Sequence, residues 1–218
     1  MLAHLPLSET DFSPIVVQHP FFESAILYNG KNMFNAFEQK EEYNQYVNRF
    51  CDTIHKCESV SAILRLVRKS YRLTYLKFLR QYKAISLKEC GNLLAQTWDL
   101  IETINHDVNV PKAQVLRWIA RADKNLLMNE QDYSIFNSLP DDVTVYRGCK
   151  NSQQIKGLSW TIDMNVAIFF ANRFSKGKIY QATIPKNKII AYINDRNEHE
   201  IILDYNYLYD ITEIKYVI

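Results

Sequence analysis

Apolar positions recur at helical spacing as far as Pro140 and at strand spacing beyond it. Before that proline, Asn35 to Cys57 reads as one helix and Ser59 to Lys83 as another, separate from the first or continuous with it. Ser86 is placed to cap a third helix, because Glu89 stands three residues on and completes a capping box. That helix is expected to run to about Asn105. Pro111 suits a first helical turn, where its missing N–H costs nothing, and a helix to about Leu127 should follow. Asn129 to Ser138 reads as a connector or a short helix. After Pro140, segments 143–146, 178–184, 189–193, 201–205 and 212–218 are rich in Ile, Val, Thr and Tyr and read as strands. One helix, Met164 to Phe174, interrupts them with Asp163 as its N-cap. The pattern predicts an α+β protein: a helical region over 1–138 packed on a β-rich region over 139–218. No internal repeat or low-complexity linker separates the two.

The chain has 218 residues, enough for a sizeable core. Its net charge of +2 says little about partners, but the charge is uneven. Residues 1–58 carry eight acidic and four basic side chains, whereas 59–88 carry eight basic ones and no acid. The N-terminal segment lacks the basic start and long apolar run of a signal peptide. With no stretch near the ~20 apolar residues of a membrane span, a cytoplasmic protein without membrane association is expected. Cys51, Cys57, Cys90 and Cys149 form no CxxC pair and no zinc spacing with histidine, so no metal is expected. The Cys51/Cys57 spacing is compatible with a disulfide, while the overall usage favours four reduced thiols. Five scattered glycines make no GxGxxG and no GxxxxGK[ST], which argues against a Rossmann dehydrogenase and a P-loop NTPase.

Three short segments concentrate the chemistry: Val145-Tyr146-Arg147-Gly148, then Gly157-Leu158-Ser159-Trp160-Thr161, then Glu198-His199-Glu200. Arg147 offers a rigid, permanently charged fork suited to phosphate or ribose oxygens. Ser159 and Thr161 are two apart on an expected strand and share a face, with Trp160 turned toward the core. In this order and strand context the segments resemble the R-S-E type of mono-ADP-ribosyltransferases. That family carries an arginine ending the first core strand, a Ser-x-Ser/Thr segment on the second, and E-x-E on a loop before the third. The motifs cover about residues 139–218, and members often carry helices ahead of the arginine.

The resemblance implies an ADP-ribosyltransferase-like β-sandwich, NAD⁺ as substrate and no metal. It makes Arg147, Ser159, Glu198 and Glu200 the catalytic set. Arg147, Gly148, Ser159, Thr161, Phe170 and Glu200 would bind NAD⁺, with the Gly148 backbone close to the carboxamide. Phe170 and Arg173 could close over the cofactor, although a core Phe and a solvent-facing Arg are the plainer reading. Glu200 would stabilise the oxocarbenium ion left by nicotinamide, and Glu198 would serve the acceptor. His199 reads as a loop residue, and Tyr192 with the loop 194–197 as a mobile approach to the target.

E-x-E in the family favours an arginine acceptor on protein. A cationic stripe argues for nucleic acid, slightly favoured and RNA in particular. On one continuous helix, Arg65, Arg68, Lys69, Arg72, Arg80 and Lys83 would fall within about 120° of one another at ~100° per residue. Such a stripe could equally dock an acidic partner, such as an inhibitory antitoxin, or be a solvated face. The remaining readings are a NAD⁺ glycohydrolase and a non-enzymatic binding module on a degenerate fold. By analogy alone, a toxin of a toxin–antitoxin or phage-defence system fits an enzyme of this kind held inside a cell.

Overall fold

Arg68 interrupts what periodicity predicts as one long helix, and the interruption organises the first of two contact units. The computed structural model describes residues 2–11, 13–101, 104, 107–174 and 177–215. Contacts divide the chain into residues 1–78 with 100–102, and residues 79–99 with 103–218, so the division falls well before Pro140.

In the first unit, β1 (Ser8–Thr10) pairs antiparallel with β2 (Ser13–Gln18), and β3 (Ile26–Tyr28) with β4 (Met33–Asn35). These four strands correct the purely helical expectation for this region. Next come α1 (Lys40–His55), α2 (Val60–Leu66) and α3 (Arg72–Gln81), which crosses into the second unit. The first helix starts at Lys40 and not at Asn35, because the Asn35 side chain accepts from the Phe37 N–H and turns the chain. Ser59 caps α2 through the Ala62 N–H. The chain is extended at Val67 and Arg68, then forms a 3₁₀ turn over Lys69–Tyr71. Tertiary bonds decide that break: the Arg68 N–H donates to the Pro20 carbonyl, and its guanidinium donates to the carbonyls of Val17 and Phe22. The core of this unit is aromatic. Phe22 stacks on His19 at 4.5 Å and meets Tyr46 and Phe50 edge-on.

The second unit begins with α4 (Leu87–Ala95), where Ser86 and Glu89 form the expected capping box. It ends ten residues early against an expected end at Asn105, which itself lies outside the described residues. The Thr97 hydroxyl donates back to the Leu93 carbonyl, and the chain enters a 3₁₀ turn over Trp98–Leu100. The helix expected over 111–127 is broken into α5 (Lys112–Ile119) and α6 (Lys124–Leu127). Asn92 enforces the break by accepting from the Asp123 N–H and donating to its carboxylate. Then follow α7 (Glu130–Ser138), β5 (Asp142–Cys149), a 3₁₀ turn over Ser152–Lys156, β6 (Ser159–Thr161) and α8 (Met164–Asn172). Four strands complete the chain: β7 (Lys178–Pro185), β8 (Ile189–Ile193), β9 (Glu200–Leu203) and β10 (Tyr209–Ile214). The strand expected over 212–218 starts earlier, and its last three residues lie outside the described residues.

Among the described residues these strands form one antiparallel six-stranded sheet, ordered β10-β7-β5-β6-β9-β8, where a sandwich was expected. β5 pairs with β7 over its whole length but with β6 through one pair only, Tyr146↔Thr161. The ladder is therefore thinnest at its centre, where the arginine and serine motifs face one another. On one side, Ala167 and Ala171 of α8 pack on Ile179. Gly148 and Gly177 make that closeness possible. A Cβ at Gly148 would stand 1.9 Å from the Ala167 carbonyl oxygen, and one at Gly177 2.0 Å from that of Ala171. No helix is long and apolar enough to cross a membrane among the described residues.

Candidate functional site

All three motifs lie in the second unit. β6 joins β9 in register, with Ser159 opposite Ile202 and Thr161 opposite Glu200. That register sets the serine and the second glutamate side by side. Glu200 is partly buried, and its Oε1 accepts from the Trp98 indole N–H at 3.1 Å. The Ser159 hydroxyl also hydrogen-bonds the carboxylate. Burial pushes the Glu200 pKa up and Glu198 adds to the rise, while the bonds from Ser159 and Trp98 and the charge of Arg196 pull it back. Two neutral donors thus hold the carboxylate, without a direct salt bridge among the described residues. Such a group keeps its negative charge available to a cation arriving from outside.

Arg147 stands in β5. Its Nε donates to the Gln154 carbonyl at 3.0 Å and its Nη1 to the Ser159 carbonyl, which leaves Nη2 without an acceptor among the described residues. The guanidinium lies against Gly157, where a Cβ would come within 2.1 Å of Nη2. Glycine is required there by this close approach. Burial lowers the Arg147 pKa, and the negative charge of Glu200 is among the influences opposing the fall. Arginine and glutamate therefore feel one another across the thin centre of the sheet.

Thr161 is buried, and its hydroxyl donates to the Glu198 carbonyl at 2.7 Å while accepting from the Asp163 N–H. The threonine thus anchors the loop carrying the glutamates. His199 adopts a left-handed backbone (φ +47°) between the glutamates. Its N–H donates to the Asn194 side chain, and its Nδ1 lies 2.7 Å from the Tyr192 hydroxyl. Tyr192 is fully buried, which corrects its expected place on a mobile approach. Arg196 ties the same loop to Asp99 by donating to its carbonyl. Trp160 is core, as its alternation requires. Phe170 and Phe169 both lie beneath the Arg173 guanidinium, 4.6 and 4.8 Å from its carbon, so Arg173 is stacked rather than simply solvated. Gly148 has its glycine accounted for by the close passage of α8.

Trp98 is the contributor that sequence reasoning missed. It is 102 residues from Glu200, and no motif marks it. The available signal is generic: a buried indole N–H needs an acceptor, and the chain has only three tryptophans.

The cationic stripe does not survive in the first unit. Its single helix is broken at Arg68, which removes the common face. Arg72 is buried, donating to the carbonyls of Leu64, Val67, Arg65 and Leu100. Arg68 is tied to two carbonyls and to Glu23. Arg65 and Lys69 are exposed. The four cysteines are free, and no cluster of His, Cys, Asp and Glu could hold a metal among the described residues. No family model, curated protein or solved structure matches this chain.

Proposed function

We propose that this protein is a mono-ADP-ribosyltransferase that cleaves NAD⁺ and transfers ADP-ribose to a macromolecular acceptor, on a fold of the ADP-ribosyltransferase kind. One observation carries the reading: the partly buried Glu200 carboxylate is held by Ser159 and Trp98, and its charge acts on Arg147. The bond from ribose C1′ to the nicotinamide nitrogen breaks, and its electron pair leaves with nicotinamide. Positive charge develops on the ribose, where a fixed carboxylate lowers the barrier more than it stabilises the ground state. The acceptor then forms its bond to C1′ and gives up a proton to Glu198, two residues before Glu200. Arg147 would orient the substrate's oxygens.

The acceptor reading shifts toward protein arginine. The E-x-E spacing supports it, and the helical stripe that supported nucleic acid is dissolved by the buried Arg72 and the tethered Arg68. A restraining partner and a toxin role stay with the same reading by analogy.

The test is incubation with labelled NAD⁺ and cell extract, followed by separate protease and nuclease digestion. Label released by protease alone supports protein transfer, and label released by nuclease restores the nucleic-acid acceptor. Free ADP-ribose with no labelled macromolecule reassigns the protein as a glycohydrolase. Glu198→Ala is expected to abolish transfer while sparing part of the NAD⁺ hydrolysis.

A further inference from the structure

His199 separates Glu198 from Glu200, and Tyr192 lies seven residues before it in β8. Neither has a part in the bond cleavage described above. Side chains alternate along an extended strand, so Glu198 and Glu200 would there share a face. The left-handed backbone of His199 (φ +47°) interrupts that alternation. A residue bearing a Cβ takes this conformation at a cost, and its surroundings must hold it there.

Hydrogen bonds do so. The His199 N–H donates to the Asn194 side chain at 2.9 Å, and the His199 carbonyl accepts from the Ile162 N–H at 3.2 Å. The ring is fixed by the Tyr192 hydroxyl, 2.7 Å from Nδ1. Tyr192 is the rigid end of that bond, because it is fully buried and pairs with Ile201 of β9. Burial pushes its pKa up and the charge of Asp132 adds to the rise, so the phenol stays un-ionised at neutral pH. The buried Asp132 of α7 also accepts from the Asn194 N–H. One carboxylate thus faces both residues that grip His199. The Glu198 carboxylate, by contrast, joins no hydrogen bond or ion pair among the described residues. Its backbone places it, through the Thr161 hydroxyl on its carbonyl and through His199 beyond.

We propose that Tyr192 and His199 are positioning residues, a brace that sets Glu198 for the acceptor while Glu200 keeps its own cradle of Ser159 and Trp98. The acceptor role rests on the NAD⁺ reading above; the brace itself does not. A fixed backbone at His199 holds the base at one distance from the carbon where the acceptor adds. Loss of the brace therefore separates the two steps: cleavage at Glu200 continues and transfer fails.

The experiment compares the full chain as wild type, Tyr192→Phe, His199→Asn and the double variant by amide hydrogen exchange and by NAD⁺ turnover. Phenylalanine keeps the buried ring, and asparagine tolerates the left-handed backbone while lacking the ring nitrogen. Each should speed exchange at residue 199 and at the Ile162 amide about tenfold, the size of one lost hydrogen bond, with the β9 amides unchanged. Each should also lower label transferred from NAD⁺ into cell-extract macromolecules about tenfold, with nicotinamide release in the absence of extract within about twofold of wild type. The double variant should match either single one, because both remove the same bond. Should Tyr192→Phe lose its circular dichroism, His199→Asn carries the test. Losses that multiply in the double variant overturn the pairing, as does wild-type exchange at Ile162 in a correctly folded single variant. Undiminished transfer by variants whose loop exchanges faster overturns the acceptor role alone, as does a wild type that releases nicotinamide and labels nothing. A wild type that cleaves no NAD⁺ overturns the reading of the site, and amide exchange still decides the brace.

Discussion

Arg72 is buried and Arg147 partly buried, and each gives its guanidinium to backbone carbonyls. Arg72 gives Nε, Nη1 and Nη2 to the carbonyls of its own unit. Those carbonyls belong to the end of α2, the extended residue after it and Leu100, so the arginine closes a helix end that no glycine caps. Arg147 gives up Nε and Nη1 but holds Nη2 against the bare face of Gly157, in the field of a glutamate that two neutral donors keep in place. The pair teaches that bonding to backbone carbonyls does not by itself separate a structural arginine from a candidate binding one. What marks Arg147 is a donor left over among the described residues, Nη2, and the charge of Glu200 acting on it. From sequence Arg72 reads as one of a run of basic residues and Arg147 as part of a strand motif.

Removing each guanidinium's support should break this comparison in different places. The largest effect is expected from Arg72→Ala, which strips buried carbonyls of their donor at a cost of about 4 kcal/mol. Hydrogen exchange would register it as lost amide protection over residues 60–76; unchanged protection there would make Arg72 dispensable. Glu200→Gln should lower NAD⁺ cleavage about 10²-fold or more, about 2.7 kcal/mol of transition-state stabilisation. The same substitution should stabilise the fold at neutral pH. Because the folded Glu200 pKa is raised, the folded state holds its proton more tightly, and stability falls as pH rises through that value. Unfolding of wild type and Glu200→Gln should therefore coincide below pH 4.5, the ordinary value, and diverge above it in favour of the variant.

Gly157→Ala tests the arginine without touching it. A methyl placed 2.1 Å from Nη2 must push the guanidinium off its carbonyls, because the group is pinned there. We expect NAD⁺ affinity to fall about tenfold, an effect of the size of one charge-assisted hydrogen bond, with circular dichroism unchanged. Undiminished affinity by calorimetry would mean that the position of Arg147 is irrelevant to binding.

The smallest effect at working pH concerns the first unit, and its sign opposes that of Glu200. The His19 Nδ1 accepts from the N–H groups of Phe21 and Phe22, so the folded ring must stay unprotonated there. Burial pushes its pKa down to about 4 from the ordinary 6.5, with Arg68 adding to the fall and the Leu5 backbone opposing it. Stability from this residue is complete above pH 6.5 and is lost as pH falls toward about 4. His19→Gln should remove that slope from the acid unfolding profile, leaving neutral stability the lesser change.

Local signals were legible where they were complete in themselves. The Ser86/Glu89 capping box, the Asp163 cap and the 189–193 strand stand where the pattern places them. So does the core position of Trp160, which needs only alternation along a strand. Long helices were overread because periodicity cannot see a competing tertiary bond. The Pro20 carbonyl that takes the Arg68 N–H is 48 positions away, and the Asn92 side chain that takes the Asp123 N–H is 31 away. The strands of the first unit went unread because each is short and strand alternation needs length to register: three are only three residues long.

The order of the arginine, serine and glutamate motifs was present in the chain before any folding. So was the α+β character, since a period of 3.6 giving way to a period of 2 is a property of sequence alone. Tertiary structure decided the rest: which hydroxyl meets which carboxylate, that Trp98 completes the cradle of Glu200, and that Arg72 belongs to the core rather than to a surface. It decided these because they depend on hydrogen bonds between positions far apart in sequence. Such bonds form only once strand register and helix ends have been set against one another, and no local window contains both partners.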